Sequence, residues 1–306
     1  MAAEQSGQGP GKAFAREWPS RFGVWIAPPT LLTTPVAVQR EQAARIERLG
    51  YASLWTGEPP VVAPVGGREI FAQLAVLLAA TDRLVVGSGI ANVSTRLPEA
   101  THSAAATLAE AYPGRLVLGL GGQGGDRPLT ALREYLDVMD RAAERSPIQV
   151  RYPRVLAALG PKAHALAADR ADGVHPFLQP VEHTEIARRL LGSGGLVIPH
   201  QALVLEEDPD TARKSLRALL ALGMRNVETP YTKNYRRLGY GDADLVDDRS
   251  DRLIDATLAW GDERAVAGRL RDHLDAGADH VLLHPLAPDL PSAVDALERL
   301  APHLAG

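Results

Sequence analysis

The 306-residue chain contains no cysteine, which removes disulfides, thiolate nucleophiles and iron–sulfur clusters in one step and fits a reducing compartment. No uninterrupted apolar run approaches the roughly 20 residues that a transmembrane helix needs. The first residues are Ala, Gly, Gln, Ser and Lys, without the apolar stretch of a signal peptide. Residues 1–20 therefore read as a loose, disordered leader on a cytoplasmic protein. Net charge is only −4, so there is no basic footprint for nucleic acid, and membrane surfaces drop out with it. Histidines and acids are scattered without clustered ligand spacing, so no metal is expected.

What is present is an ordinary globular composition, 45% hydrophobic and 23% charged, with 28 glycines. The chain is organised around Gly114 to Asp126. Its apolar run Leu116-Val117-Leu118 is bounded by turn residues, as in a short strand buried on both faces of a parallel sheet. Five glycines between Gly119 and Gly125 then leave backbone N–H groups bare at the C-terminal strand end, where parallel α/β folds bind ligands. Gly119 to Gly124 also matches the dinucleotide fingerprint G-x-G-x-x-G. The next apolar strand, however, ends in Gly160-Pro161 with no carboxylate to hold a ribose, which argues against that reading.

Along the chain, strand-like runs alternate with amphipathic helix-like ones. Strands are expected at Phe22–Ala27, Ala52–Trp55, Leu84–Ile90, the organising stretch, Val155–Leu159, Gly173–Leu178, within Leu196–Leu205, and at His280–Leu283. Helices are expected at Val36–Leu49, Glu69–Ala80, Pro98–Ala111, Leu129–Glu144, Pro161–Arg170, Val181–Leu191, from Asp208 onward, at Glu263–Leu274 and around Ser292–Leu300. Pro98 and Pro161 suit first-turn positions, where the missing N–H is not needed. Eight strands with a helix after each predict an α/β fold of the (β/α)8 TIM-barrel kind, one domain over residues 21–306. The largest irregularity, Asn226 to Gly261, reads as a helical insertion between strands seven and eight, too rich in charge and turn residues for core.

Phe22-Gly23-Val24-Trp25, Leu54-Trp55, the run Ala80 to Ile90, the run Tyr112 to Gly121 and Ala276 to Val281 together resemble the bacterial luciferase-like monooxygenase superfamily. The similarity spans nearly the whole chain after the leader. With Asn234 to Gly239 and Trp260-Gly261-Asp262-Glu263 it is most similar to the F420-dependent oxidoreductase branch. The resemblance implies a luciferase-like barrel, a homodimer, and a flavin or the deazaflavin coenzyme F420 at the C-terminal mouth. It also implies a non-proline cis peptide at Gly89-Ile90, forming a bulge that supports the tricyclic ring, and a cofactor phosphate near Gly160-Pro161-Lys162.

Gly160 and Lys162 stand at a helix start beside a lysine, a ready anion site. Gly121, Gly122, Gln123 and Gly124 fit close approach of a ring edge or ribityl chain to the backbone, and the Asn92 amide suits the pyrimidine part of the ring. Glu58, His175 and His284 are the candidates for the proton that accompanies a hydride step; His200 is expected low in the barrel and structural. Trp25 and Trp55 either wall the substrate pocket or belong to the core. The chain departs from the branch at Pro59, where a catalytic histidine would follow, and at Gln123 or Gly124, where some relatives keep a glutamate. The expected function is hydride transfer between F420 and a small organic substrate. Alternatives are an FMN-dependent monooxygenase using reduced flavin and oxygen, and a barrel that binds cofactor or ligand without turnover.

Overall fold

A computed structural model describes residues 18–58, 68–122, 125–221, 228–245 and 249–304. The strand and helix signals of the sequence map onto it in order. β1 (Phe22–Ile26) leads through the short α1 (Pro28–Thr33) to α2 (Val36–Arg48), and β2 (Ser53–Thr56) precedes α3 (Ile70–Leu78). β3 (Val85–Ser88) and β4 (Ala91–Asn92) are two pieces of the third strand, divided by a cis Gly89-Ile90 bond, and α4 (Pro98–Ala111) follows. β5 (Leu116–Gly121), α5 (Pro128–Arg145), β6 (Arg154–Leu156), α6 (Pro161–Arg170), β7 (Gly173–Val174) and α7 (Val181–Leu191) continue the alternation.

The seventh strand is also in two pieces, β8 (Leu196–Val197) and β9 (His200–Val204), because Pro199 has no N–H to give a ladder. After β9 come α8 (Pro209–Ala221), α9 (Pro230–Arg237), α10 (Asp242–Leu245), α11 (Asp251–Thr257), β10 (Leu258–Trp260), α12 (Glu263–Asp275), β11 (Val281–Pro285) and α13 (Leu290–Leu300). Every strand pairing is parallel, in the order β10-β9-β11-β1-β2-β3-β5-β6-β7-β8. The two ends of that order meet in one chain segment: Leu196 N donates to Asp172 O at 2.8 Å on one side, and Asp279 N donates to Val197 O at 2.9 Å on the other. The eight principal strands thereby close into a (β/α)8 barrel.

Apolar side chains fill two spaces. One is the layer between sheet and helices; the other is the barrel bore, where Trp25, Trp55, Val85, Val117, Val155, Leu196, Ile198 and Leu282 pack together. The bore accepts two tryptophans because facing strands carry glycine: a Cβ at Gly87 would lie 2.4 Å from the Trp55 ring. Trp18, inside the segment expected to be a loose leader, packs edge-on against His280 with ring centroids 4.4 Å apart. Residues 1–17 lie outside the described part.

The insertion departs from its sequence reading as too rich in charge and turn residues for core. Tyr235, Tyr240, Leu245 and Leu253 form a small core of their own, while Ile254 and Leu258 join Leu178, Ala202, Ala212 and Leu216. Its charges instead tie helices together on the outside, as where Arg213 meets Asp255 at 2.7 Å. Short amphipathic helices interrupted by turn residues hide their apolar stripe from a reading by composition. The segment also adds a strand, since Leu258 to Trp260 pair beside Ala202 to Val204.

Candidate active site

The strands are parallel, so all their C-terminal ends open on one rim, the face where barrels of this kind carry their sites. At its centre Trp25 reaches across from β1, and its Nε1 donates to the Gly89 carbonyl at 3.0 Å. The cis Gly89-Ile90 bond is thus held from inside the barrel. On its other flanks Gly89 N donates to Thr56 O at 2.7 Å and Glu58 N donates to Ile90 O at 2.9 Å. Glycine is required at two of these points by contact: a Cβ on Gly57 would sit 2.5 Å from the Gly89 oxygen, and one on Gly89 would sit 2.7 Å from Trp25 Nε1.

Three histidines surround Trp25. His284 and His200 lie with ring centroids 4.6 and 5.2 Å from it, and Phe177 at 5.0 Å completes the wall. His200 is not low in the barrel, as its sequence position suggests, but bonded to His284 across 2.9 Å. His175 donates from Nδ1 to the Ile198 carbonyl at 2.8 Å, which leaves the Nε2 lone pair buried without a partner close beneath Gly89. Burial in an apolar wall pushes the His175 imidazole down to about 4 and that of His284 to about 3, so both are neutral at pH 7.

Glu58 is placed at the rim but both carboxylate oxygens are committed to holding it. Asn92 N donates to Oε2 at 2.7 Å, Arg96 Nη1 donates to Oε2 at 2.9 Å, and Arg96 Nη2 pairs with Oε1. Arg96 also reaches Glu69 at 3.1 Å. The Glu58 carboxylate, expected to carry a proton, is held by an arginine and a backbone N–H as a brace between the ends of strands two and three. Asn92 accepts from Ser94 N at 3.0 Å and Ser94 Oγ at 2.7 Å through its side-chain oxygen, so only the Nδ2 amide is available to a ligand.

Gly121 and Gly122 are also explained by packing. A Cβ on Gly121 would meet Ala157 Cβ at 2.8 Å, and Gly122, at φ +83°, lies against the Asn92 amide group. Gln123 and Gly124, which the sequence reading places at the ring, and Pro59 fall outside the described residues.

Gly160 caps the N-terminus of α6 with no side-chain hydrogen bond, Pro161 opens the helix and Lys162 stands exposed beside it. The structure adds a residue that the sequence reading does not place here. Arg237, at the end of α9, lies against Gly160, where a Cβ would be 3.1 Å from its Nη1. It makes no ion pair among the described residues. Its proximity was not legible because 77 positions separate it from Gly160 in the chain.

The arrangement fits a flat ring system with a phosphate-bearing tail. A cis bulge and the Asn92 amide face the rim, and an uncapped helix N-terminus is flanked by two cations that make no ion pair among the described residues. Comparison with known proteins agrees in kind. Residues 19–280 match the profile of the luciferase-like monooxygenase family. A Mycobacterium tuberculosis protein provisionally named a coenzyme F420-dependent oxidoreductase is 26% identical, covering 79% of this chain and 84% of that protein. Among solved structures, an F420-dependent secondary alcohol dehydrogenase bound to an F420–acetone adduct superposes with a TM-score of 0.71 at 18% identity, covering 94% of this chain and 99% of that one. The FMN-bound oxygenating constituent of 3,6-diketocamphane monooxygenase from Pseudomonas putida gives 0.67 at 12% identity, covering 94% and 98%. At such identities the two superpositions speak to the fold alone.

Proposed function

The chain belongs to the luciferase-like monooxygenase family, and on that premise we propose that it is an F420-dependent oxidoreductase moving a hydride between the deazaflavin coenzyme and a small organic substrate. The observation that carries this reading is the cis Gly89-Ile90 bulge held at the rim by Trp25, with a cationic helix start on the same mouth. The name of the mycobacterial relative favours F420 over flavin.

The coenzyme, when bound, supplies the hydride chemistry. The chain's own residues bind and orient. The backbone from Gly89 to Asn92 would support the ring, and the Asn92 Nδ2 amide would be the donor available to it. The α6 N-terminus, Lys162 and Arg237 would hold the phosphate. Trp25 and Phe177 exclude water from beneath the substrate. This reading includes a homodimer in a cytoplasmic setting, for which sedimentation of the purified protein reads the assembly.

Titration of the protein with F420 and, separately, with FMN, following ring fluorescence, tests the proposal. Saturable quenching by F420 at micromolar concentration with none by FMN supports it. The reverse pattern moves the chain to the flavin and oxygen chemistry of the alternative reading. Tight F420 binding without bleaching across a panel of alcohol, aldehyde and enone substrates would instead mark a carrier that does not turn over.

A further inference from the structure

We propose that His284 is a fixed hydrogen-bond donor, through Nε2–H, to a neutral carbonyl or hydroxyl oxygen of the bound ligand, and that His200 is the positioning residue that sets this tautomer. The ligand half of the inference rests on the cofactor reading above; the tautomer half stands on the geometry alone.

The argument starts from a backbone amide, which only donates. Leu178 N–H points at His200 Nδ1 across 3.4 Å, so that nitrogen presents its lone pair and the ring proton sits on Nε2. His200 Nε2 then donates to His284 Nδ1 at 2.9 Å. That leaves the His284 proton on Nε2, which has no partner among the described residues, at the end of β11 on the rim.

The same chain of bonds keeps both rings uncharged. A second proton on His200 would face the Leu178 amide, and one on His284 Nδ1 would face the His200 Nε2–H. The groups packed around the pair offer no counter-charge: Trp25 and Phe177 are neutral, His175 already donates to Ile198 O, and His273 is committed to Gln201 and Thr184. His284 is therefore a donor and not the proton carrier that its place in the sequence suggests.

The first link is itself held. Leu178 has φ +48°, an uncommon conformation for leucine. Its carbonyl accepts from Tyr235 Oη at 2.5 Å and from Gln179 Nε2 at 2.8 Å, while Asn234 Nδ2 secures Gln179 at 2.8 Å. One helix of the insertion thus fixes the protonation pattern of two barrel histidines. His175 shows the contrast: it donates from Nδ1, so its inward nitrogen is an acceptor.

The test has a readout that needs no ligand. Two-bond ¹H–¹⁵N correlation spectra of histidine-labelled protein at pH 7 are expected to show His200 and His284 both as the neutral Nε2–H form. H200L is expected to convert His284 to a mixture of tautomers. A wild-type His284 protonated on Nδ1, or on both nitrogens, overturns the proposal. In the second arm, H284L is expected to weaken ligand binding about tenfold, and H284Q, which keeps an amide donor near the Nε2 position, to restore most of it. A loss in the F420 Kd assigns the acceptor oxygen to the ring, and a loss in substrate KM at unchanged Kd assigns it to the substrate. Unchanged Kd and KM in H284L overturn the proposal. Should wild-type protein bind neither tricycle, the cofactor reading fails while the tautomer spectra still decide the role of His200.

Discussion

The two ends of the barrel bore are built from the same parts and finish differently. At the N-terminal end Trp55 Nε1 donates to Ser53 Oγ at 2.9 Å, and Ser53 lies 2.7 Å from His280 Nε2, with Trp18 and the Ser20 backbone closing over the ring. The relay ends at His280 Nδ1, which is buried under Trp18 and has no hydrogen-bond partner among the described residues. At the C-terminal end the relay from Leu178 through His200 to His284 ends in a nitrogen without a protein partner, beside a tryptophan that holds a cis peptide. A histidine bonded to a polar neighbour and stacked on tryptophan is thus a plug at one end and a port at the other. The residue types do not distinguish them; what the last nitrogen faces does.

Acid should break both ends together and give the largest effect. Burial lowers the pKa of His175 and His183 to about 4 and of His273, His280 and His284 to about 3. A histidine with a folded value below its unfolded one contributes stability that is complete above about pH 6.5 and is lost as pH falls toward the folded value, because the unfolded chain then binds the extra proton. Each such group contributes up to about 1.4 kcal/mol per pH unit in that window. Urea midpoints should fall steeply between pH 6.5 and 4, and H280Q and H284Q should each flatten the slope by about one proton. H280L should leave ligand binding unchanged, whereas H284L should weaken it.

Next in size, W55A removes a fully buried side chain from the plugged end and should cost about 3–5 kcal/mol in denaturant unfolding. Any bound cofactor should keep its affinity in the fraction that remains folded. At the rim, R96A strands Glu58, whose side chain is only 8% exposed, and should cost about 2–3 kcal/mol, with E58Q costing less. An R96A protein as stable as wild type would mean that the brace between strands two and three is incidental.

The smallest expected change in stability separates the two ends most cleanly. R237A alters an exposed side chain and should leave unfolding within about 0.5 kcal/mol of wild type. It should nonetheless weaken a phosphate-bearing cofactor about fivefold, and by less at high salt. Equal affinity in R237A and wild type would remove Arg237 from the anion site.

Much of the scaffold was readable in one dimension. Pro98 and Pro161 mark helix starts that the structure keeps, and the apolar run ending in Gly119 is the β5 strand of the rim. The family resemblance located the cis bond at Gly89-Ile90. The site was legible only in outline. Gly121 reads as room for a ring, and the structure adds that its Cβ side is closed by Ala157; Glu58 reads as an acid, and the structure adds that Arg96 pairs with it. His200 reads as interior and is, yet its ring is bonded to His284 near the rim.

The reason lies in which forces act over which distance along the chain. Apolar periodicity, glycine at crowded or left-handed positions and proline in first turns are local, so the order of strands and helices, and with it the barrel, follows from the amino acids read in turn. Hydrogen-bond partners are a matter of closure. Whether a histidine donates or accepts, whether a carboxylate is occupied, and which cation stands over a helix start depend on segments tens to hundreds of residues apart being brought within about 3 Å of one another.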